Sequence, residues 1–169
     1  CLIANNGPAL GGGIYGPCRL VNTTVVNNTG NYGIASAGTS TITNSIIYGN
    51  DGDEIGSFTA TVTNSLVEGD YPGTGNIDAD PLFADTANGD YRLSNYSPAI
   101  GAGTATGAPT TDIDGNARPN PSGSNHDMGA YENALGTPSA PPVPTNLAAT
   151  VGNGVVNLSW TGNDYATKY

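Results

Sequence analysis

Positive charge is what this chain has least of: four lysines and arginines stand against fourteen aspartates and glutamates, a formal net charge of -10 over 169 residues. The four cations, Arg19, Arg92, Arg118 and Lys168, are scattered along the chain. Such a surface repels phosphate backbones, which argues against nucleic acid as a partner. It suits an extracellular protein and offers oxygen ligands to hard cations. Long apolar runs are missing as well, so the sequence contains no membrane span, and no signal peptide opens it. No window repeats at helical spacing. Gly, Asn, Thr and Ser, with 25 glycines and 12 prolines in all, occupy the positions where a helical protein carries Ala, Leu, Glu and Lys, and an all-β class follows.

Cysteine is nearly absent too. Cys1 and Cys18 are the two in the chain. A disulfide needs Cα atoms within about 7 Å, which these positions reach only if the chain folds back around Gly16-Pro17. A lipid-bearing Cys1 is a second reading, although Leu2-Ile3 follows it without a flexible tether. A small side chain on a strand is the third.

What the chain does have is a repeat. Thr43-Asn44-Ser45-Ile46-Ile47-Tyr48-Gly49-Asn50 has a copy at Val21 to Asn28 and another at Thr63 to Asp70. Aligning them stacks Asn22, Asn44 and Asn64, then Thr23, Ser45 and Ser65, then Val25, Ile47 and Val67. Leu2 to Asn6 fits as a further copy cut short. A period of about 20 to 22 residues with one β-rich run per copy is the signature of a solenoid. One such unit cannot bury its apolar face, so the copies stack as parallel strands about 4.8 Å apart with their apolar columns facing a shared interior. Leu20, Ile42 and Val62 form a second inward column, and Ile14, Ile34 and Ile55 a third. The stacked Asn22, Asn44 and Asn64 are expected to form a structural ladder, because an amide carries both donor and acceptor. Asn-Ser and Asn-Thr as mere turns between antiparallel hairpins would leave the constant offset of the apolar residues unexplained.

The repeat places roughly four coils in residues 1-74 and gives way to loop-rich text in 75-135. That block is positioned to cover the apolar columns and open strand edges of the last coil. Pro138 to Pro144 lies in a stiff linker, 136-144. Residues 145-169 hold two strand-like runs, Thr145 to Ala149 and Val155 to Trp160, with Tyr165 to Tyr169 entering a third.

The ordered motifs DADPLF (78-83), GDYRLS (89-94), SPAIGAG (97-103), DIDGNARP (112-119) and DMGAYE (127-132) resemble the C-terminal end of secreted bacterial right-handed parallel β-helix proteins. Those belong to the pectate-lyase-like superfamily and carry a choice-of-anchor Q segment. With the repeats, the resemblance covers about residues 1-134. One departure is Gly101, where the family commonly has Asp. The strand runs after the linker resemble the start of a fibronectin type III module, which needs about seven strands. The resemblance implies a right-handed β-helix, a bacterial secreted or cell-surface location, and a superfamily that includes polysaccharide lyases and hydrolases.

Candidate chemistry is thin. A lyase acting on an acidic polysaccharide needs a base and cations, and Arg19 is the lone cation among the coils. A hydrolase needs two carboxylates about 5 to 9.5 Å apart. Glu68 and Asp70 are the nearest pair, and solvated turn residues are the plainer reading of them. His126 reads as a structural hydrogen-bonding residue, so no catalytic residue is assigned. Calcium is the one cofactor left open, through Asp51, Asp53 and Glu54 in one turn or Asp112 and Asp114 at the head of a loop. That loop has Gly123 where a calcium loop places its last acidic ligand. The alternative is Asp112 or Asp114 capping a turn and pairing with Arg118.

Tyr15, Tyr32, Tyr48 and Tyr71 lie on or beside the coils, where exposed tyrosines on a flat sheet stack on sugar rings. With the resemblance, these residues lead to the expectation of a non-catalytic C-terminal part of a secreted or cell-surface β-helix protein, a stalk, adhesin or element touching a polysaccharide or cell-surface glycan. Two alternatives stand beside it: a fragment of a polysaccharide lyase or hydrolase whose catalytic coils precede Cys1, and a subunit self-associating head to tail into an extracellular filament through open strand edges.

Overall fold

A computed structural model describes residues 1-8, 10-56, 59-140 and 143-162. The chain divides into two units, Cys1–Pro138 and Ser139–Tyr169. In the first, nine short strands wind through about three turns. Strands β1 (Leu2–Ala4), β2 (Ile14–Tyr15) and β3 (Arg19–Val21) make the first turn, and β4 (Thr24–Val26), β5 (Tyr32–Ala35) and β6 (Ser40–Thr43) the second. The third is β7 (Ile46–Tyr48), β8 (Asp53–Gly56) and β9 (Ala60–Thr63), after which β10 (Leu66–Val67) opens a shortened loop. Like strands stack into three parallel sheets, β1-β4-β7-β10, β2-β5-β8 and β3-β6-β9.

The register is the one the repeat demands. Ile3 pairs with Val25, Val25 with Ile47 and Val67 with Ile47. Leu20, Ile42 and Val62 align, as do Ile14, Ile34 and Ile55. These three columns meet in one interior, with Ile47 fully buried.

Asparagine serves two purposes. Asn22, Asn44 and Asn64 have φ of +46°, +49° and +46°, the left-handed conformation that Asn tolerates best among residues with a Cβ, and so turn the corner into the next strand. As a ladder this column differs from expectation. The Asn44 Nδ2 reaches Asn22 Oδ1 at 3.3 Å, but Asn22 also donates to Asp127 O, and Asn44 exchanges bonds with the Thr104 backbone. The tighter ladder lies six residues on. Asn6 Nδ2 donates to Asn28 Oδ1 at 2.7 Å and Asn28 Nδ2 to Asn50 Oδ1 at 2.8 Å, each acceptor also taking the backbone N–H. A serine ladder joins it: Thr23 N donates to Ser45 Oγ, Ser45 N to Ser65 Oγ and Ser65 N to Asn76 Oδ1.

The third turn closes on itself. Asn76 Nδ2 donates to the carbonyls of Val62 and Tyr71, Ile77 N to Ser65 O and Val67 N to Ile77 O. Gly73 is required here, since a Cβ would lie 1.9 Å from Val62 O.

The loop-rich block was expected over the end of the last coil, and its contacts place it along the side of the sheet β1-β4-β7-β10. Leu93, Ala99, Ile100 and Met128 pack with Ile46 and Leu66 in a second core. Gly129 N donates to Asn44 O and Ala130 N to Thr24 Oγ1, while Tyr91 OH reaches Asn5 Oδ1 in the first turn. The reason is in the register: Thr24, Ile46 and Leu66 form a column on this sheet whose apolar members would otherwise face water. Within the block, β11 (Phe83–Asp85) and β12 (Asp90–Leu93) pair antiparallel across a 3-10 turn, Thr86–Asn88.

The second unit contains β13 (Thr145–Val151) paired antiparallel with β14 (Val156–Thr161), every residue of both exposed. The third strand expected at Tyr165 to Tyr169 lies outside the described residues.

Candidate functional site

On the sheet β2-β5-β8 the outward column reads Tyr15, Ala35, Gly56. Side-chain bulk thus drops to nothing over two steps. A Cβ on Gly56 would lie 2.4 Å from Tyr32 Cδ1, so the Tyr32 ring rests on the glycine's backbone. Tyr15 is 74% exposed and Leu10, from the variable turn before β2, is 51% exposed. Together with Ala35, Ser36 and Ala37 these residues line a shallow groove of about 330 Å3. The Ser36 hydroxyl is already engaged with Gly38 and Ser40, which leaves the floor largely apolar.

Tyr48 and Tyr71 are placed otherwise. Tyr48 follows Val26 in register but packs against the second core, under the 75-135 block. Burial pushes its hydroxyl pKa up, and Asp80, Glu68, Glu54 and Asp78 add to the rise. Tyr71 packs against the shared interior. Neither joins Tyr15 and Tyr32 in the groove, because the block and the closing loop occupy their surroundings.

A second cleft, of about 320 Å3, is lined by Asp53, Glu54, Glu68 and Tyr71. Glu54 is 7% exposed and ends the asparagine ladder: Asn50 N donates to its Oε1 at 3.0 Å and Asn50 Nδ2 to its Oε2. The next rung offers Asp70 on an exposed turn, so a carboxylate from within the turn substitutes for the missing amide. Burial pushes Glu54 up to about 7; the bonds from Asn50 pull the other way, and a hydrogen bond to Glu68 and its charge add to the rise. Glu68 also accepts from Gly49 N at 2.9 Å. Sequence reasoning paired Glu68 with Asp70. The structure instead sets it in one cleft with Glu54 of the neighbouring coil, where it adds to the rise of the Glu54 pKa.

The calcium residues do not converge. Glu54 turns inward to Asn50 while Asp51 and Asp53 are exposed, and among the described residues no three His, Cys, Asp or Glu side chains form a metal-holding group. Asp112 caps its own turn: Oδ1 accepts from Asp114 N and Asn116 N, Oδ2 from Asn116 Nδ2 and Glu132 N. Its oxygens are therefore engaged, and these bonds hold its pKa low against the effect of burial. Arg118 pairs with Glu132 at 2.7 Å, rather than with Asp112 or Asp114, both side chains fully buried. It also donates to the carbonyls of Asp127 and Gly129. Asp127 accepts from Gly101 N and Asn133 N. Here Gly101 contributes its backbone N–H, at a φ of +64°. Burial raises Glu132 to about 7 and Asp127 to about 6, and lowers Arg118, so desolvation outweighs attraction in this trio. His126 contributes its carbonyl to Gly103 N. Both cysteines are free thiols, and Cys18 Sγ lies 3.7 Å from Ser40 Oγ.

Leu10 and the glycine at 56 were not singled out in the sequence. The signal was present in the Tyr-Ala-Gly column, whose meaning needs the register. Comparison with protein-family models, curated proteins and solved structures finds no match.

Proposed function

We propose that this chain is a non-catalytic, glycan-contacting part of a secreted or cell-surface bacterial β-helix protein. The observation that carries the proposal is the groove of Leu10, Tyr15 and Tyr32, an exposed aromatic ring beside a floor of small residues on a parallel sheet. Sugar rings present apolar C–H faces that stack on such rings while their hydroxyls stay in water. The five ordered motifs of residues 78-132 support the bacterial, surface-associated reading by resemblance to the choice-of-anchor Q segment. The strand pair β13-β14 is read as the start of a fibronectin type III-type module.

On a glycan array the chain is expected to bind a subset of polysaccharides. Tyr15→Ala abolishes that binding and Tyr48→Ala leaves it intact. Binding that survives Tyr15→Ala, or release of reducing ends from any bound glycan, would count against this function.

A further inference from the structure

The groove carries information about which glycan it takes. Its lining is Leu10, Tyr15, Tyr32, Ala35, Ser36, Ala37 and Gly56, with no charged side chain among them. Arg92 is paired with Asp90 and Arg118 is buried with Glu132. Arg19 is on β3, in a different sheet, with its guanidinium against Gly107. The charged neighbour nearest the groove by register is Asp53, one coil step from Tyr32, a distance of about 4.8 Å between strands. A uronate chain laid along the groove would bring its carboxylates to this exposed Asp53, with no cation among the described residues lining the groove to answer them. A neutral chain meets none of that repulsion.

We infer that the Leu10–Tyr15–Tyr32 groove takes a neutral polysaccharide, stacked on the Tyr15 ring, and turns uronate polymers away. The inference rests on the glycan-contacting function above and specifies its ligand class. Tyr15 supplies the stacking face, Leu10 one wall, and the small side chains at 35, 37 and 56 the clearance for a flat ring. Selectivity against uronates comes from charge.

Affinity electrophoresis of the full chain tests this with three probes in the gel: hydroxyethyl cellulose, galactomannan and polygalacturonate. Retardation by at least one neutral polymer and none by polygalacturonate is expected. Tyr15→Ala should weaken the neutral interaction by about tenfold or more, whereas Tyr15→Phe, which keeps the ring, should preserve it. Asp53→Lys should admit polygalacturonate. Retardation of the unaltered chain by polygalacturonate, lost in Tyr15→Ala, would overturn the neutral-ligand inference while leaving the groove a glycan site. Neutral binding indifferent to Tyr15→Ala would overturn the groove as the site. No retardation by any probe, with the fold verified by circular dichroism, would overturn this inference and the glycan function together.

Discussion

Glu54 shows how one residue ends a pattern. An asparagine ladder is self-consistent as long as each amide finds another above it, and at Asn50 the next rung fails. A carboxylate supplies two acceptors where one amide supplied one, at the cost of burying a group that prefers water when charged. Because burial and Glu68 raise Glu54 from 4.5 to about 7, the folded state binds its proton more tightly than the unfolded chain does. The stability this group contributes is therefore present below about pH 4.5 and is lost as pH rises through 7, in total on the order of 3 kcal/mol. Glu54→Gln removes the titration but leaves one oxygen for two Asn50 donors, a loss of about 1 kcal/mol. Urea unfolding from pH 5 to 8 is expected to show a flatter profile for Glu54→Gln, less stable than the unaltered chain at pH 5 and more stable at pH 8. Parallel profiles would show that Glu54 does not titrate in this window.

At the scale of elements, the loop-rich block depends on side chains buried against the coils more than on its own strands, which amount to the short pair β11-β12. Met128 is fully buried in the second core. Arg118, whose Nε has no partner among the described residues, holds the Glu132 carboxylate and the carbonyls of Asp127 and Gly129, with the Asp127 carboxylate within its field. Replacing it with Met keeps much of the volume and strands Asp127 and Glu132 without a cation. Such a change costs about 3–5 kcal/mol at neutral pH. The loss should shrink at pH 5, where both carboxyls, already raised to about 6 and about 7, take up protons. Thermal melts of Arg118→Met at pH 5 and 7.5 check this, and an equal loss at both pH values would contradict it.

For the whole molecule, order should follow burial. The paired coil strands bond about one repeat away around an apolar interior, whereas the residues of β13 and β14 are all exposed. A two-stranded hairpin without a covered face is marginal in water. Hydrogen exchange on the full chain is expected to protect the amides of Val25, Ile47 and Val67 far longer than those of Thr145–Val151 and Val156–Thr161. Comparable protection in both would mean that the hairpin has a stability its burial does not explain.

The amino-acid sequence determined the solenoid. A period of about 20 to 22 residues with apolar side chains at constant offsets leaves little besides stacked parallel strands that buries them all, and Ile3, Val25, Ile47 and Val67 stand where that logic puts them. Only the tertiary structure decided what lies against the outside. The same strands carry a second column, Thr24, Ile46 and Leu66, and whether water or the 75-135 block covers it depends on contacts between residues some 60 to 100 positions apart, which no local periodicity encodes. That choice covered Tyr48 and left Tyr15 exposed.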